Sequence, residues 1–135
     1  SVSMELLGQI LWAANGFPEM VSNKKREIFT IQYDNLFANN NDLLSNNTVE
    51  LIRKYRKIYK EYKSVNKTVT VQKAMYVLYI SKYLNRLDYR NLSEKFESFL
   101  KDYKKTNNIE KAESRVLLEI KFRNEVEKYF EVCLN

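Results

Sequence analysis

Two glycines and one proline in 135 residues leave this chain few places to turn sharply. A sheet protein is rich in tight turns, and tight turns draw on those residues. Their scarcity points to a few long helices joined by polar loops. A chain of this length buries roughly two thirds of the surface that its unfolded form exposes. It therefore needs neither a disulfide nor a metal to fold. Apolar residues are 44% and charged residues 30%, a globular balance. The expected fold is all-α: a compact bundle of about six helices in a single domain, residues 1–135, excised from a larger protein.

Apolar spacing and capping signals place the elements. A first helix is expected over residues 4–15, with Ser3 as cap, Gly16 in the left-handed position that ends it and Pro18 as a stop. A second covers 23–37 behind Ser22, and the Asn-rich stretch 38–47 reads as a loop. A third covers 49–63 behind Thr48, and a fourth 71–87 behind Thr70. The fifth covers 92–105, where Asn91 and Glu94 form a capping box.

The sixth starts after Asn108 and reaches Cys133, the longest element and the one that looks most buried. Its stripe is Ile109, Ala112, Val116, Leu117, Ile120, Val126, Tyr129, Phe130 and Cys133. Leu118 and Phe122 lie off that stripe. A helix apolar on more than one side is central or carries a patch for a partner. Leu118 and Phe122 are therefore candidates for an apolar interface, with Trp12, a residue type that anchors interfaces when it is not core.

The stretch RKYRKIYKEYK, residues 53–63, interleaves cations with tyrosines. Set Ile52 at zero and advance about 100° per residue. Leu51, Tyr55, Ile58, Tyr59 and Tyr62 then fall between roughly 240° and 340°, and Arg53, Arg56, Lys57, Lys60 and Lys63 between roughly 20° and 140°. Rings stack on single-stranded bases only where they share a surface with the cations. Here the rings are expected to turn inward and the cations outward.

Charge is uneven along the chain. Residues 1–45 hold three basic and five acidic side chains, net −2; residues 46–90 hold eleven and three, net +8; residues 91–135 hold nine of each. The candidate binding face is Arg53, Lys54, Arg56, Lys57, Lys60, Lys63 and Lys67, to which Lys73, Lys82, Arg86 and Arg90 can add. A concentrated positive field draws acidic protein segments and phosphate backbones; the plainer alternative is a solvated face in a lysine-rich chain.

Much familiar chemistry has no residues to carry it. The chain contains no histidine, which removes the commonest general base, the usual metal ligand and every Ser–His or Cys–His pair. One cysteine without histidine makes no ordinary zinc site, and two isolated glycines make no phosphate-cradling loop. No catalytic, metal or cofactor-binding residue is expected, and no cofactor. The carboxylate pairs Glu94 with Glu97 and Glu110 with Glu113 read as surface solubility. Cys133, between Val132 and Leu134, reads as a small core residue. It has no internal disulfide partner, which suggests a reducing interior. No apolar run is long enough for a membrane span.

The expectation for function is a non-catalytic helical interaction module in a nucleic-acid-associated assembly, intracellular and nuclear. It would bind an acidic or amphipathic protein segment through a groove and the basic helix face. In architecture alone such a bundle resembles the helical domains of transcription, chromatin and telomere regulators. An alternative is direct, backbone-driven binding of DNA or RNA, although no three- or four-residue helix-turn-helix junction is present. A further alternative is a viral helical decoy of the apoptosis-regulator type, whose Gly-Arg signature has no match here.

Overall fold

A computed structural model describes residues 3–14, 16, 46–83 and 88–134. Among them every regular element is helical: α1 (Met4–Ala14), α2 (Asn46–Val65), α3 (Val71–Ile80), α4 (Tyr89–Thr106), α5 (Glu113–Val116) and α6 (Ile120–Leu134), with a 3-10 turn at Ser81–Tyr83. The expected all-α class, with about six helices, is thus what the described residues form. The expected helix over 23–37, residues 38–45 of the expected loop over 38–47 and residues 84–87 of the fourth expected helix lie outside the described residues; residues 46 and 47, expected in that loop, instead open α2, so Thr48 lies inside the helix and does not cap it. The chain divides into two compact units, residues 1–57 and 58–135.

In the first unit, α1 starts where sequence places it. The Leu6 amide donates to the Ser3 hydroxyl at 3.1 Å. Gly16 ends the helix at φ 84°, with its amide bonded to the Ala13 carbonyl. That left-handed conformation costs a residue with a Cβ more than it costs glycine. Ile10, Leu11, Trp12 and Ala13 are buried.

The second unit is built around α3. Every residue from Lys73 to Ile80 is buried, so α3 and not the last helix is the central element. Thr70 caps it by accepting from the Lys73 amide at 3.2 Å. The α4 cap sits one turn earlier than the Asn91–Glu94 box: Asp88 accepts from the Asn91 amide at 3.0 Å. A carboxylate at a helix start satisfies an orphan amide and also meets the positive end of the dipole.

The expected long helix over 109–133 is broken. Asn108 sits at φ 52°, α5 is a four-residue turn, and α6 begins only at Ile120. Two tethers hold the intervening chain out of helix register with α6: the Tyr76 hydroxyl donates to the Leu117 carbonyl at 2.6 Å, and Lys73 pairs with Glu113 at 3.1 Å. The break changes which side chains face inward. The buried stripe of α6 is Phe122, Val126 and Phe130, whereas Ile120, Tyr129 and Val132 are exposed. Cys133 is exposed too, contrary to its expected core role.

Rings fill the space between these helices. Tyr76 stacks on Phe96 at 5.4 Å and 19°, and meets Phe122 edge-on at 5.4 Å and 68°. Phe96 and Phe122 lie 6.2 Å apart. Phe99 reaches from Phe122 to Phe130, at 5.8 and 5.7 Å. Aromatic pairs of this kind contribute about 0.5–1.5 kcal/mol each beyond the area they bury. Phe122→Ala should therefore destabilise the chain by about 3–5 kcal/mol, and Val132→Ala by less than about 0.5 kcal/mol. Urea denaturation followed by circular dichroism measures both.

Candidate basic interaction surface

The amphipathic division of α2 is as its spacing requires. Tyr55, Ile58 and Tyr62 are buried, while Arg53, Arg56, Lys57, Lys60, Lys63 and Lys67 are exposed. Lys54, between the two faces, is half-buried, and burial holds its ammonium below the ordinary value. No tyrosine of the stretch shares the cations' surface, except that Tyr59 is half-buried at the margin.

Within the outer face, Arg53, Arg56, Lys60 and Lys63 follow one another at spacings of three, four and three residues. Each is thus adjacent to the next on one side of a continuous helix, over about 15 Å of its length. None of these four, nor Lys67, makes an ion pair among the described residues. Like charges at this spacing destabilise a helix by a few tenths of a kcal/mol per pair.

The other candidate site residues are placed differently. Phe122 is completely buried in the ring cluster and presents no surface. Trp12 is buried in the first unit, and Leu118 is half-buried. Lys82 is exposed on Tyr79 and Tyr83, its ammonium 4.0 and 5.0 Å from the two ring centres and 3.8 Å from Glu127. Arg90 is exposed, 3.6 Å from Glu94. Arg86 lies outside the described residues.

Lys73 does not join the basic surface. It is buried, with 2% of its surface exposed, and its ammonium lies 2.7 Å from Glu97 Oε1 and 3.1 Å from Glu113. Glu97 is likewise buried and is not the surface carboxylate expected beside Glu94. It also accepts from the Tyr62 hydroxyl at 2.8 Å and from the Asn66 amide nitrogen at 2.9 Å. Asn66 is oriented from its other side, where its side-chain oxygen accepts from the Thr68 amide and hydroxyl. Asn66 therefore organises the turn at residues 67–68.

Burial works against the charge on both partners, and hydrogen bonds outweigh it. Burial pulls the Lys73 ammonium down, but its bonds to Glu97 and Glu113 hold it above its ordinary value. Burial pushes the Glu97 carboxyl up, but donors from Lys73, Tyr62 and Asn66 hold it below the usual carboxylate range. Burial, then the facing Glu97 carboxylate, pushes the Tyr62 hydroxyl well above its ordinary value.

Sequence reasoning missed this cluster, although it carried a signal. Lys73 precedes the unbroken apolar run AMYVLYI, which buries a helix on all sides, and Glu97 lies on the Ser93–Leu100 side of α4. Among the described residues no group of three acidic or cysteine side chains could hold a metal ion, and no helix is long and apolar enough to cross a membrane. No protein family, characterised protein or solved structure matches this chain.

The signs of the two shifts define a pH window. Glu97, lowered in the fold, contributes stability above the usual carboxylate value of about 4.3 that is lost as pH falls through its folded value. Lys73, raised in the fold, contributes stability below about pH 10.4 that is lost as pH rises through its folded value. The contribution of this cluster to the unfolding free energy should hold between these limits and fall at both ends. Lys73→Met, which leaves Glu97 buried without its cation, should cost about 3–5 kcal/mol at pH 7. Denaturant melts across pH measure both effects.

Proposed function

We propose that this chain is a non-catalytic interaction module that docks an acidic protein segment on the outer face of α2. The observation that carries this reading is the row Arg53, Arg56, Lys60, Lys63: exposed like charges, adjacent on one helix face, with no counter-ion from the described residues. Among the described residues nothing offsets the repulsion of that arrangement, and an acidic partner would relieve it. The inward direction of Tyr55 and Tyr62 supports a protein partner over single-stranded nucleic acid, because base stacking needs rings on the binding surface. A nuclear, nucleic-acid-associated assembly remains the setting that best suits a basic module of this kind.

A duplex phosphate backbone presents the same attraction as an acidic peptide, so the test includes both. A Glu/Asp-rich amphipathic peptide and a random-sequence DNA duplex are titrated against the chain at several salt concentrations. The peptide is expected to bind more tightly than the duplex. Arg53→Glu/Arg56→Glu/Lys60→Glu should weaken it roughly ten-fold or more, mainly by slowing association. If the duplex binds more tightly, with a steep logarithmic salt dependence, the face belongs to nucleic acid. Unchanged affinity of the triple variant for both ligands refutes the assignment of this face.

A further inference from the structure

The chain between α4 and α6 lies on the second unit by very few contacts. Of residues 107–119 only Val116 and Leu117 are buried. The α5 turn has no side-chain cap at Ala112. At its two ends the segment is bonded through the backbone, the Ile109 amide donating to the Lys104 carbonyl at 2.8 Å and the Arg123 amide to the Glu119 carbonyl at 3.1 Å; between those ends it is held by the Leu117 carbonyl on the Tyr76 hydroxyl, the Glu113 carboxylate on Lys73, and the two aliphatic side chains. Lys111 and Glu119, 2.8 Å apart, staple the two ends of the segment to each other.

The charges in this attachment are unevenly arranged. Lys73 is already neutralised by Glu97, which is held by two further donors that do not involve α5. Glu113 is a second carboxylate on a single ammonium, and its side chain is 35% exposed. If Glu113 swings into water, Lys73 keeps its buried partner and the cluster passes from net −1 to net zero. Withdrawal of Glu113 therefore strands no buried charge, unlike removal of Glu97. Local opening of this kind belongs to the low-stability end of a fold, where buried apolar contacts are few.

We propose that residues 109–119 form a detachable strap that stands in for a partner helix. The strap presents a carboxylate at Glu113 and aliphatic side chains three and four residues later, at Val116 and Leu117, the spacing of one helix face. When it lifts, it uncovers the ammonium of Lys73, the hydroxyl of Tyr76 and the apolar surface that Val116 and Leu117 occupied. The ligand that fits is an amphipathic helical segment with a carboxylate at i and aliphatic residues at i+3 and i+4. This site is separate from the basic face of α2, so either can fail without the other.

Hydrogen exchange on the unmodified chain is the first test and needs no variant. The amides of Leu117, Leu118 and Glu119 should exchange at least ten-fold faster than those of Val77 and Leu78, with weaker dependence on denaturant. Equal rates with equal denaturant dependence would mean that the strap opens only with the whole unit, and the proposal falls. The second test uses a labelled, end-capped peptide of residues 109–119 as probe. A tethered strap competes at an effective concentration in the millimolar range, so the peptide should bind the Glu113→Gln chain roughly ten-fold more tightly than the parent.

A peptide with Lys in place of its Glu113 should not bind. The Arg53→Glu/Arg56→Glu/Lys60→Glu chain should bind the strap peptide as the parent does. Absence of binding to Glu113→Gln at millimolar peptide, or loss of binding in the triple variant, overturns the assignment.

Discussion

An ammonium group enclosed in an apolar core must be met by a carboxylate, and Lys73 imposes that requirement on the second unit. Unpaired, it would cost several kcal/mol. Its partners come from two other elements, Glu97 on α4 and Glu113 on α5, and Glu97 in turn fixes Tyr62 at the end of α2 and Asn66 in the turn that follows. A single carboxylate thus sets the register of α3 against α4 and the point at which α2 ends. Replacing such a pair with well-packed apolar residues is often neutral or stabilising. Its contribution here is directional: ring contacts tolerate a range of angles, whereas charge-assisted bonds at 2.7–2.9 Å do not.

The ring cluster depends on that register. Phe96 precedes Glu97 on α4, so the bond that places the carboxylate also places the ring on which Tyr76 stacks. Tyr76 then extends past the cluster to the Leu117 carbonyl, and this tether helps end the chain's helical path before α6. The entry of α6 at Ile120, and not earlier, decides that Phe122, Val126 and Phe130 face inward and that Tyr129 and Val132 remain at the surface.

Helix class, several caps and the two faces of α2 were legible in the sequence because each is set by local chemistry. Ser3, Thr70 and Gly16 act within a few residues of themselves, and the alternation of tyrosine with cation over residues 53–63 is resolved by helical geometry alone. The last helix was misread for the opposite reason. Nothing in residues 109–120 is a strong helix breaker; the break is accompanied by contacts to Lys73 and Tyr76, which lie some forty residues earlier. The same limit hid the buried cluster. Glu97 beside Glu94 looks like a surface pair until α3 supplies a cation, although Glu97's position between Ser93 and Leu100 on the apolar side of α4 was a local hint. Phe122 and Cys133 followed the misplaced stripe and exchanged roles with it.

The cations near α2 and α3 therefore occupy two environments with different physical meanings. Lys73 is turned inward and matched by carboxylates that hold it charged, so its charge is consumed by the fold. Arg53, Arg56, Lys60 and Lys63 are turned outward in a contiguous row that repels itself and is matched by no acid among the described residues. The chain has as many acidic as basic side chains in residues 91–135, so the means to neutralise a helix face are available in it. They are used on Lys73, Lys82, Arg90 and Lys111, and not on this row. Among the described residues, then, acid pairs with the inward cation and with scattered surface cations, and the row keeps a like-charge repulsion that any approaching anion would relieve.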